Sequence, residues 1–260
     1  MLGALIGDIV GSVYEWKNRK DKGFPFFQPN CRMTDDSVMT AAVASALLME
    51  EGKDLEGFRK NLIGEMQRLG RMYPNVGYGL RFEKWIASEE PVPYHSLGNG
   101  SGMRVSPVAW AADTMEECLA LAKVSAEVTH DHPDGIAGAL TVAGAVYLAR
   151  EGKSKEEIRA YVTRYYPLDF TLDEIREGYQ FDVSCAGSVP QAMEAFLEGE
   201  DFEDTIRNAV SIGGDSDTIA AMAGAVAAAF YGVPKAIRDE AMPFIDGEVR
   251  NIFDRFIRQY

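Results

Sequence analysis

Two stretches decide how this chain is read: MTDDSVMTAAVASALL, Met33 to Leu48, and GGDSDTIAAMAGAVAAAFYG, Gly213 to Gly232. In each, two aspartates and two hydroxyl residues stand at the head of an apolar segment. In the first, Val38, Met39, Ala42, Val43, Ala46 and Leu47 recur at helical spacing. Thr, Ser and Asp cap helices, and an acid in the first turn complements the helix dipole, so one carboxylate at each start is ordinary. The surplus is not. Two carboxylates about 4 Å apart repel by about 4 kcal/mol at an effective dielectric of about 20. If the two clusters share a cleft, their aspartates must take up protons or a cation. All the donors are oxygens, with no cysteine or histidine interleaved. That set favours Mg²⁺, Mn²⁺ or Ca²⁺ over zinc or copper.

Working outward, helical signals dominate. Thr114 with Glu117, Ser154 with Glu157 and Thr171 with Glu174 read as capping boxes. Helical periodicity continues through 114–128, 136–149 and 215–231, and strand-like alternation is confined to Tyr166–Phe170. Segments 135–149 and 218–230 are rich in Ala and Gly, which allows close helix approach at the centre of a bundle. Gly3, Gly7 and Gly11 imply a similar contact for the first helix. Irregular segments are expected at 18–33, 89–102 and 180–189. Because the acidic clusters lie near opposite ends of the chain, their convergence requires one all-α domain over residues 1–260, a compact multi-helix fold with a central cleft.

Asp8 and Glu15 lie roughly 700° apart on a helix and so share a face with Gly11 between them. The formal charge of −14 argues against a phosphate-bound nucleic acid partner. No apolar run reaches the roughly 18 residues of a spanning helix, and no basic leader precedes the apolar start, so a cytoplasmic, membrane-free and monomeric protein is expected. Cys31, Cys118 and Cys185 have no metal-ligand spacing and read as buried thiols.

Taken in order, Gly7-Asp8, Gly11, Glu15, then Thr34-Asp35-Asp36, then Gly98 to Arg104 with Pro107, then Thr129-His130, then Gly213 to Thr218 resemble the motifs of the ADP-ribosylglycohydrolases. The resemblance runs from residue 3 to about 232. It implies an all-α fold around a binuclear centre of two Mg²⁺ (or Mn²⁺), with Thr34, Asp35, Asp36, Asp215, Asp217 and Thr218 as ligands. The implied substrate is an ADP-ribosylated protein or small molecule, cleaved at C1 of its distal ribose to release ADP-ribose. By the same match, Glu15 and Asp36 are the acid/base candidates, with Glu15 as a gate and segment 18–33 as a lid. Asn99, Gly100, Ser101, Gly102 and Met103 would approach the pyrophosphate, His130 would line the ADP-ribose groove, and Tyr94 or His95 would cover the adenine. The glycine-rich stretch is neither a dinucleotide fingerprint nor a P-loop. Ser37 and Ser216 replace threonines common in the family, and the short chain leaves the acceptor open. Two other readings stay in view: a non-catalytic, crystallin-like or ADP-ribose-binding descendant, and a hydrolase that cuts the pyrophosphate.

Overall fold

The structure, a computed structural model, describes residues 1–49 and 54–260. In chain order its helices are α1 (Leu2–Gly11), α2 (Asp35–Met49), α3 (Leu55–Met72), α4 (Leu80–Ala87), α5 (Gly100–Met103), α6 (Ser106–Ala111), α7 (Met115–Glu127) and α8 (Pro133–Arg150). They continue as α9 (Lys155–Val162), α10 (Leu172–Arg176), α11 (Cys185–Glu198), α12 (Phe202–Ser211), α13 (Ser216–Tyr231), α14 (Lys235–Ala241) and α15 (Gly247–Gln259). Among the described residues no strand forms, and Gly98 and Ser184 make an isolated antiparallel bridge. The expected all-α class holds. Tyr166–Phe170 is irregular, and no described helix is long and apolar enough to cross a membrane.

Helix α13 is the axis of the fold. Its small side chains make it apolar nearly all round, the pattern of a helix enclosed by protein, and Ser216 through Ala227 are all buried. It packs against α1, α8, α11 and α12. The α1 contact is the tightest: a Cβ added at Gly3 or Gly7 would run into the carbonyl oxygen of Gly224 or Ala220, and one at Gly11 into the backbone of Ser216 and Asp217. Only glycine lets the two backbones touch. Helix α2 packs on α1 and is covered outside by the amphipathic α3 and α15, so the α2 and α13 N-termini flank the end of α1.

Several expectations need revision. Helix α1 ends at Gly11, so Glu15 stands in the turn and bend beyond it and not on a helical face with Asp8, and segment 89–102 becomes helical from Gly100. Ser154 and Thr171 form reciprocal capping boxes, whereas the Glu117 carboxylate reaches the Asp113 N–H at 2.7 Å. Segment 180–189 becomes helical from Cys185, with Ser184 capping through the Gly187 N–H; Gly187 and Pro190 had masked that helical start. Segment 18–33 is irregular but fastened down. Lys20 Nζ donates to the carbonyls of Arg176, Tyr179 and Ile212 at 2.6, 2.8 and 2.6 Å. Arg207 donates to Lys22 and Phe24 carbonyls, and Tyr14 to Pro25. A lid motion would have to break all of these.

The glycine contact predicts opposite outcomes at two helical glycines. Gly7→Ala should destabilise the protein by about 1–3 kcal/mol, the usual cost of overpacking. Gly64→Ala, whose added methyl meets nothing within 4 Å, should stabilise by about 0.5–1 kcal/mol. Urea unfolding measures both.

Candidate metal centre and substrate cleft

The two acidic clusters meet at one end of a cleft of about 590 Å³. The turn leading into α13 contains Gly213 and Gly214 with φ of +71° and +74°, a conformation that favours glycine, and it delivers Asp215 and Asp217 to the cleft. Asp215 occupies the N-cap position, yet its side chain makes no cap bond. Its carboxylate accepts from Asn99 Nδ2 at 2.7 Å instead. Carboxylate oxygens of Asp8, Asp36 and Asp217 lie within 4.8 Å of one another, and so do those of Glu15, Asp215 and Asp217. Asp217 belongs to both groups, which puts two possible cation positions side by side.

The hydroxyls are oriented for the same purpose. Thr34 Oγ1 donates to Asp8 Oδ1 at 2.6 Å, and Thr218 Oγ1 donates to Asp36 Oδ2 at 3.1 Å. With their hydrogens turned to carboxylates, each oxygen keeps a lone pair for a cation, although Thr34 Oγ1 also accepts from the Asp36 N–H at 3.3 Å. Asp8 serves the turn before α2: it also accepts from the Thr34 and Ser37 N–H groups and from the Ser37 hydroxyl. Asp36 Oδ1 is buried with no hydrogen-bond partner among the described residues. An orphaned carboxylate oxygen among four other acids and two hydroxyls fits a hard divalent cation.

Electrostatics agree. Burial and then neighbouring carboxylates push Asp36 and Asp217 well above the usual range. For the same causes Asp35 rises to about 8 and Glu15 to about 7. Asp35 stands on the cleft wall beside Gly77, its N–H bonded to the Val76 carbonyl, outside both tight groups.

Away from the acids the cleft turns basic and aromatic. Arg104, 1% exposed, donates to the Ser125 carbonyl and to Thr129 Oγ1 at 2.6 and 2.8 Å, while its Nε has no partner. Burial lowers it to about 10. Thr129 Oγ1 lies 2.7 Å from His130 Nδ1. The same hydroxyl accepts from Arg104, so Thr129 links the guanidinium to the imidazole and fixes the ring's orientation. Burial and the Arg104 charge hold His130 neutral. Tyr94 packs near His130, and the Arg81 guanidinium sits 4.8 Å over the Tyr94 ring.

The sequence matches the ADP-ribosylglycohydrolase family over residues 1–258. The chain belongs to the ADP-ribosylglycohydrolase family. It is 28% identical to the ADP-ribosylhydrolase ARH3 of Homo sapiens over 310 residues, covering 90% of this chain and 84% of that one. It is 26% identical to the ADP-ribosylarginine hydrolase Tri1 of Pseudomonas putida over 261 residues, covering 90% and 70%. A solved structure titled "ADP-ribosylglycohydrolase-related protein complex" superposes with a TM-score of 0.70 at 26% identity, over 94% of this chain and 93% of that one.

Of the residues assigned from the family motifs, Glu15, Thr34, Asp35, Asp36, Asp215, Asp217 and Thr218 line one end of the cleft, and Asn99, Gly100, Met103 and His130 line its wall. Ser101 and Gly102 are buried beneath it. Ser101 Oγ donates to the Gly135 carbonyl at 2.6 Å, and a Cβ at Gly102 would meet Met222 and Val142. Their part is to seat the loop on α8 and α13, because α5 already turns helical there. His95 is exposed, its ring packed on His132 away from the cleft, while Tyr94 lines it. Residues that the sequence did not single out also line the cleft: Trp16, Arg32, Arg81 and Phe181.

The raised carboxylates fix a sign. A group whose folded pKa exceeds its unfolded value of about 4 stabilises the fold fully below that value and loses this contribution as pH rises through the folded pKa. Without metal, the Asp35 and Glu15 contribution is therefore lost between about pH 4 and the neutral-to-slightly-alkaline values above. A divalent cation offsets the repulsion, so the rise in melting temperature on adding magnesium to chelator-treated protein should be larger at pH 8 than at pH 5.5. Differential scanning fluorimetry reads this directly.

Proposed function

We propose that the cleft is the active site of a divalent-metal-dependent ADP-ribosyl hydrolase that cleaves the bond at C1 of the distal ribose and releases ADP-ribose. Its supporting observation is the convergence of the Thr34–Asp36 and Asp215–Thr218 oxygens around the unpartnered Asp36 Oδ1. The family relationship and the activities for which the human and Pseudomonas relatives are named support the same reading.

Thr34, Asp35, Asp36, Asp215, Asp217 and Thr218 would hold two Mg²⁺ or Mn²⁺. When bound, the pair would supply a Lewis-acid clamp for vicinal ribose hydroxyls and a water of lowered pKa. The chain does the rest. Asn99 keeps Asp215 turned toward the centre. The neutral His130 presents its imidazole ring to the cleft. Buried Arg104 and cleft-lining Arg81 place positive charge where the pyrophosphate would run, and Tyr94 offers a face to the adenine.

Glu15 is the better placed of the two acid/base candidates. Its carboxylate borders the acidic centre and lines the open cleft, where a carboxylate can accept a proton from water and return it to the departing group. Both Asp36 oxygens face the ligand cluster or a hydroxyl hydrogen. In the net reaction water gives its hydroxyl to C1 and its remaining proton to the departing acceptor. The transition state is oxocarbenium-like, and the surrounding carboxylates favour its positive charge.

A non-catalytic descendant has no use for an orphaned buried carboxylate oxygen, so the structural alternative is disfavoured. Chromatography of the products from an ADP-ribosylated peptide tests the proposal. Free ADP-ribose should appear with Mg²⁺ or Mn²⁺, and chelation or Asp217→Ala should cut the rate more than about a hundredfold. AMP in place of ADP-ribose would mean that the pyrophosphate is the bond cut.

A further inference from the structure

Trp16 is 75% exposed and Phe181 is 43% exposed, yet their rings are stacked, with centroids 5.3 Å apart and planes 21° apart. Scattered surface hydrophobes are common; a stacked pair on the wall of a cleft is not explained by core packing. Both rings line the cleft at its acidic end, since Trp16 follows Glu15 and the Glu15 carboxylate borders those of Asp215 and Asp217.

The platform is mounted rigidly. On one side Asn18 bridges the main chain, donating to the Glu15 carbonyl at 3.0 Å and accepting from the Gly214 N–H. On the other, Tyr179 OH donates to the Gly187 carbonyl at 2.7 Å, and Asp182 accepts from the Ser184 N–H at 2.8 Å, holding the chain on both sides of Phe181. The Val183 carbonyl accepts from the Asn99 N–H. These bonds tie the aromatic pair to the turn that delivers Asp215 and to the loop that carries Asn99.

We propose that Trp16 and Phe181 form the acceptor subsite, and that this subsite favours a planar guanidinium leaving group over a serine hydroxyl. The proposal rests on the reading of the cleft as an ADP-ribosyl hydrolase site. With the pyrophosphate side marked by Arg81 and Arg104 and the ribose at the acidic centre, C1 directs its substituent to the remaining wall, which Glu15, Trp16 and Phe181 build. An indole face attracts a cation, and a guanidinium is flat and weakly hydrated, so it stacks there at low desolvation cost. The flanking carboxylates add to that field. Arg32 also lines the cleft, and its charge acts on Glu15. A serine acetal brings neither charge nor plane.

The test compares kcat/KM for an arginine-linked and a serine-linked ADP-ribosyl peptide on wild type, Trp16→Ala, Trp16→Phe and Phe181→Ala, with the calorimetric Kd of ADP-ribose on each. Trp16→Ala should lower kcat/KM about tenfold on the arginine-linked peptide, mainly through KM. The loss on the serine-linked peptide should be several times smaller, the ADP-ribose Kd should stay within about twofold, and Trp16→Phe should recover most of the loss. Equal losses on both peptides, or a weakened ADP-ribose Kd in step, would overturn the proposal. If wild type binds ADP-ribose but cleaves neither peptide, the hydrolase reading fails. The platform is then decided by binding: ADP-ribosyl-agmatine must weaken about tenfold on Trp16→Ala while ADP-ribose does not, and parallel changes reject it. Absence of ADP-ribose binding rejects both readings.

Discussion

The whole arrangement depends on backbone contact between α1 and α13. Gly3, Gly7 and Gly11 remove the side chains that would hold the two axes apart, and the cost is the lower helix propensity of glycine. In return, the end of α1 reaches the head of α13, where Gly11 lies against Ser216 and Asp217. Asp8, on the same helix, then captures the turn before α2 with both carboxylate oxygens. One packed interface therefore sets the separation of two acidic segments that are far apart in the chain. A methyl group at the interface would shift the centre before it touched any ligand.

That convergence creates a charge problem that the protein alone solves only by protonation. Raised carboxylates and an unpartnered Asp36 oxygen are the two signs of it. A divalent cation would remove both. Farther along the cleft the polarity reverses, with the buried Arg104 held by a carbonyl and a hydroxyl and its Nε unpartnered among the described residues. A cleft acidic at one end and basic farther along suits a ligand with a hydroxyl-rich sugar beside a diphosphate.

Much of this was legible in the sequence for local reasons. The α2, α8 and α13 segments are long apolar stretches rich in helix-forming alanine, and the Ser154 and Thr171 capping boxes formed as read. The acid-and-hydroxyl clusters stood out because they exceeded what capping needs. Other features required tertiary information. Gly187 and Pro190 hid the start of α11, and the run of glycines around Ser101 hid the helical turn that buries Ser101 and Gly102. The fastening of 18–33 was hidden for the same reason, since the three carbonyl partners of Lys20 lie more than 150 residues away. Trp16 and Phe181 could not be paired from sequence, since no local pattern relates them.

The central claim is that the residues at the heads of α2 and α13 jointly hold a pair of divalent ions. Titrating chelator-treated protein with manganese and following free Mn²⁺ by electron paramagnetic resonance tests it most directly. The account predicts that about two equivalents per chain are taken up with spin coupling between them, as expected of ions about 3.5–4 Å apart, and that Asp36→Asn and Asp217→Asn each abolish the coupled signal. Uptake of no manganese by the folded protein, or binding that survives both substitutions, would contradict it.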